Sequence, residues 1–347
     1  MKATQPYSRR VVSRLLTIGQ SNEFVLVLVI VVLCLLVGLA ERNFWNLGTA
    51  FDIARNSLET VVFALAFLVV LLVGGIDVSF DAIGIFSGYT AAWIAVSGYY
   101  DSDIILAFVL AGLIGLGLGA VNAVIVDRLR LPVLIATLAT RSVFVGVLLT
   151  YIGAFWYNFL PGQLGDFHYW QVIRVPVGRG STSLHPLVIP VLVLAVVLWL
   201  VLSRTMFGRG LYAVGGDAEA ARRAGFPVRR LVFMALCLAG LLAGLGGMVH
   251  VSLGGNADPY ELVGSELTPI AAVVLGGASI FGGKGTVLGT VLGAVLISLI
   301  NYSMVSLGVP AAWTQVIVGL FILIAIASQL MRGRRRARSL LAIPSGA

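Results

Sequence analysis

Apolar residues along this chain gather into long uninterrupted runs, separated by short polar stretches. Ten runs read as helices: Phe24–Ala40, Leu58–Val73, Ala82–Val96, Ile104–Val126, Val133–Ile152, Leu187–Leu202, Leu231–Val251, Thr268–Ile280, Val287–Leu307 and Trp313–Ile326. A helix needs about 20 residues to cross a hydrocarbon core of about 30 Å, so the pattern predicts an all-α integral membrane protein with about ten transmembrane helices. The third and eighth runs fall short of a full crossing. Glycine pairs border them, Gly74-Gly75 and Gly276-Gly277 with Gly282-Gly283, as suits a broken or re-entrant segment. The chain divides into a polar tail over residues 1–23, one membrane domain over 24–330 and a basic tail over 331–347.

Composition narrows the class. Of 347 residues 59% are hydrophobic and only 11% charged, and the mean hydropathy is +1.02. A soluble domain is about one quarter charged, which excludes an ordinary soluble enzyme and leaves no length for a sizeable aqueous domain. The net charge of +8 follows from membrane orientation. If both termini are cytoplasmic and all ten runs cross, eighteen basic residues fall on the inside, among them Arg9, Arg10, Arg128, Arg130, Arg222, Arg223 and the arginines from Arg332 to Arg338. Only Arg42, Arg55, Arg174 and Arg179 fall outside, the asymmetry that the positive-inside rule describes. The basic tail is thereby an orientation signal beside anionic lipid, and no nucleic-acid partner is implied. No small-residue cleavage site follows the first run, so it reads as a retained span. Cys34 and Cys237 lie apart inside apolar runs, where thiols behave as small hydrophobes.

Few residues offer chemistry. There is no HExxH or GxSxG pattern, the three histidines are scattered, and no catalytic or metal-binding set can be assembled. The stretch Gly276–Thr286 has Ala278 and Gly285 where a phosphate-binding loop needs glycine and Ser or Thr. Ionisable residues inside the runs are limited to Glu59, Arg141 and His250; the first two read as near span ends, where long side chains reach the interface, and His250 adjoins an outer loop. Small residues four apart, Gly115/Gly119, Gly240/Gly244 and Gly289/Gly293, let helix backbones approach closely.

The polar segment Gly208–Arg230 is the longest inside loop. Asp217 suits an N-cap, Ala218–Ala224 a short helix, Gly225 its stop and Pro227 a breaker. A short helix of small residues lying across the span ends has the shape to slot into a groove on another protein.

Four blocks in order resemble permease subunits of binding-protein-dependent ABC importers of the ribose, xylose and autoinducer-2 type. They are Gly74-Gly75-Ile76-Asp77-Val78-Ser79; Leu131-Pro132 with Ile135–Leu138; Gly208 through Gly225, containing the EAA-like Glu219-Ala220-Ala221; and Ile270–Gly277 with Gly282–Gly285. The resemblance implies a type II importer-like fold and a multi-pass protein of the bacterial cytoplasmic membrane. It implies partners too: an ATPase subunit with tandem nucleotide-binding halves, a periplasmic or extracellular sugar-binding protein and a second permease copy, identical or related. ATP and Mg would be bound by the ATPase, with no cofactor in this chain. Carried onto this sequence, Asp217, Glu219, Ala220, Ala221 and Gly225 form the coupling element. Asp77, Ser79, Asn122, Thr137, Gly276 and Gly277 become candidates beside the translocation pathway, although Asp77 also suits a helix cap and Asn122 and Thr137 interhelical hydrogen bonds. The family more often has glycine at Asp81 and an acidic residue at Thr268. An ion-coupled secondary transporter is the rival reading, and the scarcity of buried ionisable residues argues against it.

Overall fold

The computed structural model describes residues 22–41, 44–99, 102–177, 180–262, 264–310, 313, 315–323 and 327. Most of the polar amino-terminal tail and all of the basic carboxy-terminal tail lie outside the described residues. Each of the ten apolar runs contains helix, but their lengths differ from the sequence reading. Helix α1 (Asn22–Ala40) is apolar on every side and buries little beyond Leu26 and Val37, so its remaining faces suit lipid. Helix α2 (Leu47–Leu72) begins eleven residues before the apolar run, capped by Asn46, whose Oδ1 accepts from the Gly48 N–H at 2.8 Å. A reading of apolar runs misses this first part because Asp52, Arg55 and Asn56 interrupt it. From Leu58 onward nearly all of α2 is buried, and the other helices pack around it.

A break over residues 73–79 leads into α3 (Phe80–Val96), a buried helix of 17 residues. Next come α4 (Ile104–Leu129), capped by Asp103, and α5 (Val133–Val147), which ends in a widened turn, Leu148–Ile152. The following excursion holds a short α6 (Gly162–Asp166) and an antiparallel hairpin, β1 (Ile173–Val177) with β2 (Gly180–Leu184). The expectation of an all-α molecule is corrected here. Residues 173–177 are rich in β-branched side chains and far too short to span, so they pair with their neighbour strand instead.

Helix α7 (Val188–Arg204) runs into α8 (Met206–Gly216) with a 72° bend. Thr205 makes the corner: its Oγ1 donates back to the Val201 carbonyl at 2.6 Å and accepts from the Gly208 N–H at 3.1 Å. After α9 (Ala218–Arg223), α10 (Val228–Gly254) returns through the bundle. The eighth run, expected to be helical over 268–280, stops early: α11 is Leu267–Leu275, nine residues, or about 14 Å at 1.5 Å per residue. Gly277, at φ +89°, turns the chain away. Helix α12 is Val287–Ser306, and residues 315–323 are helical as well. Among the described residues six helices are long and apolar enough to cross a membrane, and the bent α7–α8 pair raises this to seven at most. Of the about ten transmembrane helices expected, the described residues show six or seven of spanning length; α3 and α11 are shorter, and the last apolar run is described only in part.

Close helix contact explains the glycine pairs. A Cβ on Gly119 would stand 2.5 Å from the Leu236 carbonyl, and those on Gly115, Gly240 and Gly244 would meet backbone of the opposite helix equally closely. Helices α4 and α10 thus touch backbone to backbone, as α12 does with α11 where Gly289 and Gly293 meet Gly276 and the Ala272 carbonyl.

His185 fastens the excursion after α5 to the start of α7. Its Nε2 lies 3.1 Å from the Phe167 carbonyl and its Nδ1 accepts from the Leu187 N–H at 3.2 Å, a pairing that needs the neutral ring with its proton on Nε2. Burial pushes its pKa down from 6.5 to about 4. A histidine depressed in the folded state contributes stability that is complete above its unfolded value and is lost as pH falls. Hydrogen exchange in residues 167–187, taken relative to the intrinsic rate at each pH, is therefore expected to be constant above pH 6.5 and to accelerate between pH 6.5 and 4. In His185→Gln, which can donate and accept at the same places, that acceleration is expected to disappear.

Candidate functional site

Two groups of residues stand out, one exposed and one buried. In the exposed group, Asp217 caps α9, its Oδ1 accepting from the N–H groups of Glu219 and Ala220, both at 2.9 Å, a cap that contributes about 1 kcal/mol. Gly225 ends the helix at φ +87°, a left-handed conformation that other residues adopt at a cost of roughly 1–2 kcal/mol. There the Phe226 N–H bonds the Ala221 carbonyl at 3.0 Å, closing the helix end. Ala221 is buried against the bundle, while Asp217, Glu219, Ala220 and Gly225 are exposed. Glu219 meets only Arg222, at 3.4 Å, and both are about two-thirds exposed. The cap at Asp217 and the stop at Gly225 fall where the sequence reading put them, with the helix ending at Arg223 rather than Ala224 and α10 already begun at Val228. That reading omitted α8, whose four glycines and polar flank read as loop.

The buried group ties the α2–α3 break to α4 and α5. Asp77 Oδ1 accepts from both the N–H and the Oγ of Ser79 at 2.7 Å; Asn122 Nδ2 donates to that same Oγ at 2.8 Å; and the Val78 N–H donates to Thr137 Oγ1 at 3.3 Å. All four side chains suggested by the sequence thus come together, and all are buried, at most 1% exposed. Gly276 and Gly277 lie elsewhere, at the end of α11, where a Cβ would meet the Gly289 carbonyl and Asn22 respectively, each at 2.6 Å. Asp77→Ala removes an acceptor from buried donors, which costs roughly 1–3 kcal/mol per donor. The thermal midpoint of the detergent-solubilised protein is expected to fall by several degrees in Asp77→Ala and by clearly less in Asp77→Asn, which retains an oxygen at Oδ1.

The ionisable residues of the spans depart from expectation. Arg141 does not reach toward an interface: its Nη2 donates to Asp81 Oδ2 at 2.8 Å and to Glu266 Oε2 at 2.7 Å. Glu59 is placed inside α2 by the early start of that helix, and His250 Nδ1 lies 2.9 Å from its Oε2. The other ring nitrogen, Nε2, lies 3.2 Å from Glu261 Oε2. Both clusters clip the segment 255–266 to the helices. The signal in the sequence was the pair of acids, Glu261 and Glu266, just ahead of a short apolar run; His250 stands only eleven residues before Glu261, but Arg141 stands one hundred and twenty-five before Glu266.

Residues 49–326 match the family model described as branched-chain amino acid transport system / permease component. The chain is 32% identical over 306 residues to the autoinducer 2 import system permease protein LsrC of Yersinia enterocolitica, covering 88% of this chain and 82% of that one. It is 31% identical over 300 residues to the ribose import permease protein RbsC of Escherichia coli K12, covering 86% and 90%. Against the ribose import permease protein of Bacillus subtilis the identity is 36% over 296 residues, 85% of this chain and 88% of its relative. No solved structure matches the chain.

Proposed function

Because the chain belongs to the branched-chain amino acid transport system / permease component family, we propose that it is the membrane-spanning permease subunit of an ATP-driven importer for a sugar or sugar-like solute. The observation that carries this reading is α9. It is capped at both ends, anchored by Ala221 and otherwise exposed, in a chain whose relatives are named as ribose and autoinducer 2 import permeases. In this reading the protein sits in the bacterial cytoplasmic membrane with both termini inside, pairs with a second identical or related permease in a type II importer-like arrangement, and receives solute from a binding protein outside.

A partner ATPase with two nucleotide-binding halves would hold ATP and Mg and grip α9 through Glu219, Ala220 and the Gly225 turn. Hydrolysis tilts the spans between inward-facing and outward-facing states. Nucleotide can shift that equilibrium only by its differential affinity for the two, so docking on α9 must tighten in one of them. The network of Asp77, Ser79, Asn122 and Thr137 and the turn at Gly276-Gly277 then hold the two helix breaks in shape beside the pathway.

The test is a mild-detergent pull-down of the tagged chain from its native membranes. An ATPase with two nucleotide-binding halves is expected to co-purify, with a second, related permease if the pair is a heterodimer. The rival, an ion-coupled secondary transporter, draws support from the intramembrane charges Glu59, Asp81, Arg141 and His250. It requires that the chain purify alone and move solute into vesicles on an ion gradient without ATP.

A further inference from the structure

Arg141 lies eight residues beyond Val133, the first residue of α5, about 12 Å along the axis at 1.5 Å per residue, and so near the middle of a hydrocarbon core of about 30 Å. Charge at that depth is costly unless it meets other charge, polar protein or water. Its two partners come from two other elements: Asp81 from the first turn of α3 and Glu266 from the N-cap position of α11. Each partner thus stands at the amino-terminal end of a short helix, the kind of element that discontinuous helices present to solute at mid-membrane.

The three members differ in exposure. The Asp81 side chain is 2% exposed, whereas Arg141 is 21% and Glu266 19% exposed. Exposed charge at mid-depth that faced lipid tails would be penalised, so those surfaces point toward water. Only Nη2 of the guanidinium is spent on the two carboxylates, which leaves the donors on Nε and Nη1 for a solute oxygen. With both carboxylates ionised the three groups carry one excess negative charge.

We propose that Arg141 and Glu266 form a charged constriction in the solute pathway, anchored by Asp81, which passes neutral hydroxylated solutes and excludes anions such as sugar phosphates and sugar acids. The proposal rests on the reading of this chain as a permease. A hydroxyl group can accept from the free guanidinium donors while donating to Glu266, and neither ion pair need break. An anion must instead face the excess negative charge at the point where the solute passes closest to both carboxylates.

The experiment uses the assembled transporter in membrane vesicles, with Cys34 and Cys237 replaced by serine. The probes are a trimethylammonium and a sulfonate methanethiosulfonate of similar size, and the readout is the ratio of their labelling rates at one introduced cysteine. Three settings step the local charge. Arg141→Cys leaves two carboxylates, and the cationic reagent is expected to react at least tenfold faster. Glu266→Cys leaves Arg141 opposite Asp81, and the ratio is expected to fall toward that of a free thiol. Adding Asp81→Asn to Glu266→Cys leaves the arginine alone, and the preference is expected to reverse in favour of the sulfonate. Ser79→Cys, in the sealed network, is expected to resist both reagents.

If Arg141→Cys fails to assemble, the two Glu266→Cys settings still give the comparison. No labelling at 141 and 266 from either side of the membrane, or a ratio unmoved by the charge steps, would overturn the proposal. The ratios need no ATP, so failure of the importer reading shows separately in the pull-down.

Discussion

Glu219→Lys is expected to reach the membrane at the wild-type level while solute uptake falls at least tenfold and the partner ATPase no longer co-purifies. The reason is the small part this side chain plays in the fold. Its only ion pair, with Arg222 at 3.4 Å, joins two side chains about two-thirds exposed, and exposed pairs contribute between zero and about 1 kcal/mol. Placing a cation in the first turn of α9 costs a further few tenths of a kcal/mol against the helix dipole. Neither effect can unfold a bundle of this size, so a large loss of uptake must arise at a surface that another protein uses.

Gly225→Leu reaches the same end by another route. No atom stands within 4 Å of an added Cβ, yet the backbone is at φ +87°, so the substitution strains the helix stop without any clash and re-aims α9. Gly216→Ala is the control. It is the exposed last residue of α8, with open space around an added Cβ and no positive φ, and should transport normally. Membrane content by immunoblot, uptake in cells and ATPase recovery together decide the matter; normal uptake in both Glu219→Lys and Gly225→Leu would remove α9 from the coupling path.

Gly240→Leu is expected to abolish folded protein altogether, and Gly240→Ala to lower its yield and thermal midpoint sharply. Gly240 sits where α10 meets α4: a Cβ there would overlap the Gly115 carbonyl and come within 2.6 Å of Gly119 Cα. Backbone cannot step aside as a side chain can. Overpacking of cores costs roughly 1–3 kcal/mol and sometimes more, and here both neighbours are backbone atoms of a helix buried along that line. Gly117→Ala, on α4 itself, has nothing within 4 Å of its new Cβ and is exposed; it should be tolerated. Fluorescence-detected size exclusion of the three variants in detergent reads the contrast. Equal behaviour of Gly117→Ala and Gly240→Ala would show that α4 and α10 do not touch at these glycines.

Local features were legible from the residues alone. Asp217, Gly225 and Pro227 act on their nearest neighbours, so the α9 element could be placed to within a residue. The cap of α4 by Asp103 has the same local origin, although the sequence reading did not single it out. Even the spacing of Gly115/Gly119 and Gly240/Gly244 announced close helix contact, because period and side-chain size are properties of the segment itself. Span lengths were less secure. Apolarity marks where lipid or core is tolerated, and α2 continues through Asp52 and Arg55 because its first turns are not wholly buried.

The membrane class, the ten helical runs and the capped α9 loop thus follow from composition, period and capping, all of which are short-range. Which glycine pair meets which, that Asp77, Ser79, Asn122 and Thr137 close into one buried network, and that Arg141 finds Asp81 sixty residues before it and Glu266 one hundred and twenty-five after, were settled by tertiary structure. A charged or polar side chain in a membrane domain takes its meaning from the partner that neutralises it. That partner is chosen by how helices pack in three dimensions, which no local pattern encodes.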